Sequence, residues 1–292
     1  MRRSPYKGRL LICDMDGTLL DSSGKISSEN KAAIFRYVEG GGLFTLATGR
    51  PVEAVKPYLP ELPVNVPAIL YNGAVIYDFQ SDRICWEDNL PASIIRPIRQ
   101  MIAHFPDIGV QVCHGDRIYV VRPNDYTNAH MLREKFKPIF AELDEIPQPW
   151  IKILLAWDPE KLRDVEQYLN GFSEPFRHVY SEPQFLEVLN KGVSKGNALR
   201  VLTNKLGLSG ECVIAMGDNL NDVELIEEAN IGIAVGNAHS SLKAAADLCC
   251  AHHDRNAVSE VIDWIKEGKL YKISVINDTI HDKIKAGEAI HE

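Results

Sequence analysis

Asp14 and Asp16 stand one residue apart at the end of a short apolar run, Leu10 to Cys13, and Gly17 and Thr18 turn the chain directly after them. Two carboxylates crowded at a strand end repel each other unless a cation or a proton lies between them. A third acid, Asp218, closes the distant run "CVIAMGD", and Asp222 follows in the same loop. Three carboxylates, with no His near them and Cys13 inside the apolar strand, make a hard, oxygen-rich donor set, which suits Mg²⁺. Other polar residues suit a phosphate. Thr48 brings a hydroxyl, Gly49 an unobstructed backbone N–H, Asn221 an amide, and Lys195 a compact cation at a helix start, where the helix dipole also favours an anion. Phosphoryl transfer is the chemistry that needs both, because it depends on positioning and charge neutralisation.

These residues are far apart in sequence, so a fold must bring them together. "RLLICDM" reads as a strand, "SENKAAIFRYVEG" as a helix ending at Gly40-Gly41-Gly42, "LFTLAT" as a second strand, and "PAILYNG" as a third. The pattern resumes late with the helix "SKGNALRVLTNKLGL", strand "ECVIAMGD", helix "NDVELIEEAN", strand "IGIAVG" and helices "SSLKAAADL" and "AVSEVIDWIKEG". Alternation with near-continuous apolar strands predicts an α/β fold, a doubly wound, mostly parallel sheet core with helices on both faces. Such sheets place ligands at the carboxyl ends of their strands, where Asp14, Asp16, Thr48 and Asp218 all fall. Residues 84–185 read differently: "IGVQVCHG" and "DRIYVVRP" form a hairpin, "AHMLREKFKPIF" looks helical, and "IKILLAWD" is another strand. This reads as an inserted α+β domain, which leaves 1–83 and 186–292 as a discontinuous core. Past Gly268 the chain reads as a polar tail with a weak amphipathic pattern.

At 292 residues, 45% hydrophobic and 25% charged, the chain has the composition of an ordinary globular protein. Its formal charge of −8 argues against broad binding to nucleic acid or anionic membranes, and no apolar stretch approaches membrane-spanning length. The six cysteines are scattered without a C-x-x-C pair, as expected in the reducing cytoplasm. His252, His253 and Asp254 lie beside Arg255 and Asn256 and read as a solvated loop rather than a metal cluster. No G-x-G-x-x-G or Walker sequence points to a nucleotide cofactor.

"DMDGTLLD", "LATGR", "GVSKGNAL" and "GDNLND", in this order, resemble the four signature motifs of the haloacid dehalogenase superfamily of phosphohydrolases. "YNGA" and the late insert are similar to its sugar-phosphatase branch with a large α/β cap. The segment from Asp21 to Ser28 is too short to hold a cap. The resemblance implies Asp14 as nucleophile and Asp16 as general acid and base. It implies that Thr48, Gly49, Lys195 and Asn221 hold the phosphoryl group. Mg²⁺ would sit on Asp14, Asp218 and the backbone carbonyl of Asp16, with Asp222 supporting the ion or Lys195. The expected partner is a small phosphorylated substrate, probed as a sugar phosphate first; a phosphomutase or a phosphate sensor without turnover are the alternatives. The sequence sets no oligomeric state.

Overall fold

The computed structural model describes residues 4–134, 137–173, 175–208 and 213–270. The core strands form in chain order as β1 (Leu10–Cys13), β2 (Leu43–Leu46), β3 (Ala68–Leu70), β4 (Val75–Asp78) and β5 (Arg83–Glu87). Next come β6 (Gly109–His114), β7 (Arg117–Arg122), β8 (Ile139–Phe140), β9 (Lys152–Ala156), β10 (Phe176–Glu182) and β11 (Phe185–Asn190). The chain returns to the core with β12 (Val213–Gly217), β13 (Ile231–Ala234) and β14 (Leu248–Cys249).

Five strands make one parallel sheet in the order β14-β13-β12-β1-β2. From β1 the chain crosses to β2 on one side and later fills β12, β13 and β14 on the other. The carboxyl end of β1 is therefore the point where the strand order reverses, and open α/β sheets bind their ligands at that crevice. β1 is fully buried because both faces are covered, which explains its unbroken apolar sequence. The helices Ser28–Glu39 and Ala257–Lys266 cover one face, with Ser259 N–H donating to Asn30 Oδ1 at 2.9 Å.

β3 departs from the simple alternation. It pairs antiparallel with β4, and β4 with β5, in a small sheet of their own. A single bridge, Ala47 to Ile69, joins it to the end of β2. The remaining six strands form a separate sheet, β10-β11-β9-β6-β7-β8, mostly antiparallel. Both expected edges of the insert fall within strands, since residue 84 lies in β5 and residue 185 opens β11. The pairing itself changes over after Glu87 and after Asn190.

"AHMLREKFKPIF" is not one helix. The helix runs Asp125–Glu134, and Ile139–Phe140 pairs with β7 as an edge strand. Pro138 lacks an N–H and disfavours helical backbone in the residue before it, so the periodic pattern could not continue as a helix. The tail beyond residue 270 and Cys212 lie outside the described residues. No helix among the described residues is long and apolar enough to cross a membrane.

Candidate active site

Asp14 ends β1 in extended backbone, and the chain turns through Met15–Leu19. Gly17 makes that turn possible: its φ is +76°, and a Cβ on it would lie 2.4 Å from Asp218 Oδ2. Only glycine satisfies both demands. The turn thus packs on Asp218, whose Oδ1 accepts from the Thr18 hydroxyl at 3.5 Å.

Behind Asp14 lies Lys195, at the start of the helix Lys195–Leu206 and placed by its cap, where Ser194 Oγ accepts from Asn197 N–H at 3.1 Å. Its Nζ donates to Asp14 Oδ1 at 2.7 Å and to Asp222 Oδ1 at 2.5 Å. The side chains of Lys195 and Asp222 are wholly buried. Asp222 Oδ2 also accepts from the backbone N–H groups of Asp218 (3.0 Å) and Asn219 (3.2 Å), so one buried acid fixes both the lysine and the loop that carries Asp218. Burial works against the Lys195 charge, but Asp14 and Asp222 more than offset it and hold the ammonium above the ordinary lysine value.

The carboxylates themselves are strained toward protonation. Burial pushes Asp14 well above the usual carboxylate range; Lys195 opposes this, and the charges of Asp222, Asp218 and Asp16 add to it. Asp218 is pushed up to about 7 by burial and by the charge of Asp222. Oxygen atoms of Asp14, Asp218 and Asp222 lie within 4.8 Å of one another. Burial raises Asp14 and Asp218, and a hard divalent cation between them would favour their ionised forms, so these two residues fit Mg²⁺.

The Asp16 side chain points elsewhere. Arg50 Nε and Nη2 donate to its two oxygens, each at 2.7 Å. Desolvation at the cleft would raise this carboxyl, but the Arg50 hydrogen bonds and charge lower it on balance. Asp14 and Asp218, the two side chains expected to hold metal, stand together; the Asp16 carboxylate lies outside the group, and the Asp222 oxygens are taken by Lys195 and two backbone N–H groups.

A cavity of about 330 Å³ opens over these groups, lined on the core side by Asp14, Asp16, Thr48, Gly49, Arg50, Asp218 and Asn221. Lys195 and Asp222 lie beneath it rather than on its wall. Thr48 is buried and its Oγ1 accepts from Arg50 N–H at 3.1 Å. Asn221 Nδ2 donates to Asn72 Oδ1 at 2.9 Å.

The opposite wall is one face of the six-stranded sheet. Side chains alternate along a strand: Ile153, Leu155, Leu186 and Val188 pack into that sheet's own core, whereas Gln111, Cys113, Lys152, Leu154, Phe185 and Glu187 face the cavity. Lys152 Nζ donates to Glu187 Oε2 and to the Gly49 carbonyl, both at 2.8 Å. Asn72 Nδ2 donates to the same Glu187 oxygen at 2.7 Å. His130 is pushed down to about 3 by burial and by nearby Lys152 and Arg133, so it is a neutral imidazole beside Gln111 Oε1, at 2.9 Å.

A family model described as haloacid dehalogenase-like hydrolase matches residues 11–262. The chain belongs to that family. It is similar to the pyridoxal phosphate phosphatase of Escherichia coli K12, with 25% identity over 266 residues, 87% of this chain and 97% of that protein. It is also similar to the 5-amino-6-(5-phospho-D-ribitylamino)uracil phosphatase of Bacillus subtilis 168, with 28% identity over 272 residues, 91% of this chain and 99% of that protein. The crystal structure of a haloacid dehalogenase-like hydrolase from Bacteroides thetaiotaomicron shares 31% identity at a TM-score of 0.78, covering 88% of this chain and 99% of that one. These relatives are phosphatases, and this hydrolase is a phosphatase.

All eight residues singled out from the hydrolase sequence gather at the carboxyl edge of its parallel sheet. Sequence reading assigned no role to Arg50, Asn72, His130, Lys152 or Glu187. A signal existed for two of them: Lys152 and Glu187 are single, opposite charges inside otherwise apolar strands, "IKILLA" and "FLEVL". Buried charges of that kind need each other.

Mg²⁺ affinity of the phosphatase should weaken as pH falls from about 8 to about 6, because an ion must then displace a proton from Asp218. The sign follows from the raised value: the metal-free carboxyl is protonated below about 7 and ionised above it. Calorimetric titration at both pH values checks this, and an affinity indifferent to pH would contradict it.

Proposed function

We propose that this phosphatase hydrolyses its esters through an aspartyl-phosphate on Asp14, with Mg²⁺ as cofactor and residues 88–190 acting as a substrate-selecting cap. The observation that carries the reading is the unlike setting of two acids in one turn. Asp14 is buried against Lys195 with its carboxyl raised, and Asp16 is tied to Arg50 with its carboxyl lowered. Lys195 and a bound cation would keep Asp14 ionised as the nucleophile, and loss of the Arg50 contact would let Asp16 take up the proton it later delivers.

In this reading Asp14 Oδ attacks phosphorus while the bond to the ester oxygen breaks, and Asp16 delivers a proton to that oxygen. Asp16 then takes a proton from water as the water attacks the aspartyl-phosphate, and Asp14 leaves as a carboxylate. Asp16 must release Arg50 before it can carry a proton. An incoming phosphate, itself a bidentate partner for a guanidinium, favours that release. Thr48, Gly49 and Asn221 line the cavity where the phosphoryl group would rest, and Lys195 holds Asp14 in line from behind. Mg²⁺ on Asp14, Asp218 and the Asp16 carbonyl would neutralise charge between nucleophile and phosphate. Asp222 maintains Lys195 and the Asp218 loop.

A cavity of about 330 Å³ suits a small metabolite. Sugar phosphates follow from the resemblance of the motifs. Phosphorylated heterocycles are a second reading, favoured by the apolar side chains of Leu154, Phe185 and Ile118 on the cavity wall, which suit a flat ring. Ranking a panel of both classes by kcat/KM, with and without chelator, tests the proposal. Hydrolysis that needs Mg²⁺ and favours one class supports it; full activity in metal-free buffer overturns it. A cytoplasmic location is part of the same proposal.

The cap closes on the core through Lys152 and Glu187. Lys152→Met removes the bond to Gly49 and leaves Glu187 buried without its cation, a loss of about 3–5 kcal/mol of stability. Glu187→Gln, which keeps a hydrogen-bond acceptor for Asn72, should cost less. Denaturant melts give both values, and equal stability of Lys152→Met and wild type would show that the pair does not fasten the cap.

A further inference from the structure

His252, His253 and Asp254 form a second group of donors outside the cleft, with one donor atom of each within 4.8 Å of the others. His252 Nδ1 lies 3.6 Å and His253 Nε2 3.8 Å from Asp254 Oδ2. Ligands around a tetrahedral Zn²⁺, with bonds of about 2.0–2.1 Å, stand about 3.4 Å apart. Small side-chain movements would close that gap.

The hydrogen bonds also set both histidine tautomers. His253 Nδ1 is 2.7 Å from the Leu20 carbonyl oxygen. A carbonyl can only accept, so the proton sits on Nδ1 and the Nε2 lone pair is left for the cluster. His252 Nδ1 carries a lone pair too, spent on a long bond of 3.3 Å from Asp254 N–H that a bound ion would have to replace. Asp254 is held in turn by Ser22, whose N–H donates to Oδ1 and whose hydroxyl donates to Oδ2, each at 2.7 Å. Ligands oriented by outer hydrogen bonds to carbonyl and hydroxyl groups are the usual surroundings of a bound transition metal. The His252 and Asp254 side chains are 42% and 41% exposed, which leaves an ion a path from solvent.

We propose that His252 Nδ1, His253 Nε2 and Asp254 Oδ2 bind a divalent transition ion of the Zn²⁺ class, with water completing its shell. Two imidazoles and one carboxylate select such an ion over Mg²⁺, which the all-carboxylate cleft prefers. The site lies behind the catalytic turn. Leu20 and Ser22 directly follow that turn, and Asn237 joins His253 N–H (3.1 Å) to the Gly17 carbonyl (2.7 Å). A bound ion would clamp the back of the segment that carries Asp14 and Asp16.

The test is Zn²⁺ titration of the full chain with Mg²⁺ in excess, read by competition with a chromophoric chelator and by thermal melting. A single Zn²⁺ should bind and raise the Tm. His252→Ala should weaken that binding by roughly tenfold or more while leaving Mg²⁺-dependent hydrolysis intact, and Asp218→Asn should leave it unchanged. Wild-type Zn²⁺ affinity in His252→Ala, or loss of the ion in Asp218→Asn, overturns the proposal, as does the absence of Zn²⁺ binding. His253 also supports Leu20, so its substitution could unfold the turn. X-ray absorption of the Zn²⁺-loaded wild-type protein avoids that difficulty: two imidazole nitrogens in the zinc shell support the site, and an all-oxygen shell excludes it.

Discussion

Asp14→Asn should abolish turnover of every phosphate ester, a loss of roughly 10⁴-fold or more, and should show no burst of product. An amide cannot form the acyl phosphate on which the proposed reaction depends. The substitution should not unfold the protein. Asp14 lies among Asp16, Asp218 and Asp222 and its carboxyl is already pushed toward the neutral form by burial. A neutral amide relieves that repulsion, and Lys195 keeps Asp222 as a partner. Steady-state rates beside melting curves in metal-free buffer separate the two effects. Residual activity within tenfold of wild type would remove Asp14 from the chemistry.

Lys195 should matter almost as much, for a different reason. Lys195→Met keeps much of the side-chain volume but removes the cation that lies between Asp14 and Asp222. Loss of a charged donor aimed at the reacting groups typically reduces kcat by ~10²–10³. Two buried carboxylates then lose their counter-ion, which costs about 3–5 kcal/mol and lowers the melting temperature. Excess Mg²⁺ should restore part of the stability, by neutralising Asp14, and little of the rate. Rate constants and melts taken across a Mg²⁺ series check both parts; a kcat within threefold of wild type would make Lys195 a packing residue only.

The core of the site was legible because its residues stand at strand ends. Asp14, Thr48 and Asp218 are each the first polar group after an apolar strand, and a parallel sheet delivers such positions to one edge. Gly17 follows from the same reasoning, since a turn that tight beside Asp218 has no room for a side chain. Pairings between distant segments were not legible. Nothing in "LATGR" says that Arg50 grips Asp16 on one side and, at 2.8 Å, Glu134 on the other. That contact exists only because the helix Asp125–Glu134 is packed against the cleft. The parity of Lys152 and Glu187 could be read within each strand, but their meeting depends on β9 and β11 being neighbours. β8 was mistaken for helix because apolar spacing in a short run does not distinguish the two, and Pro138 was the better guide.

The central claim is that Asp14 carries the phosphoryl group and Asp16 moves the protons. Asp16→Asn separates these roles when the substrate is an aryl phosphate, whose phenolate leaves without help. The first step should then persist in part while the second, lacking its base, is much slower. Rapid acid quench followed by peptide mass spectrometry should find one phosphoryl group on the peptide that contains Asp14, in step with a stoichiometric burst of phenolate. A phosphoryl group on any other residue, or a burst with no phosphorylated peptide, would contradict the account.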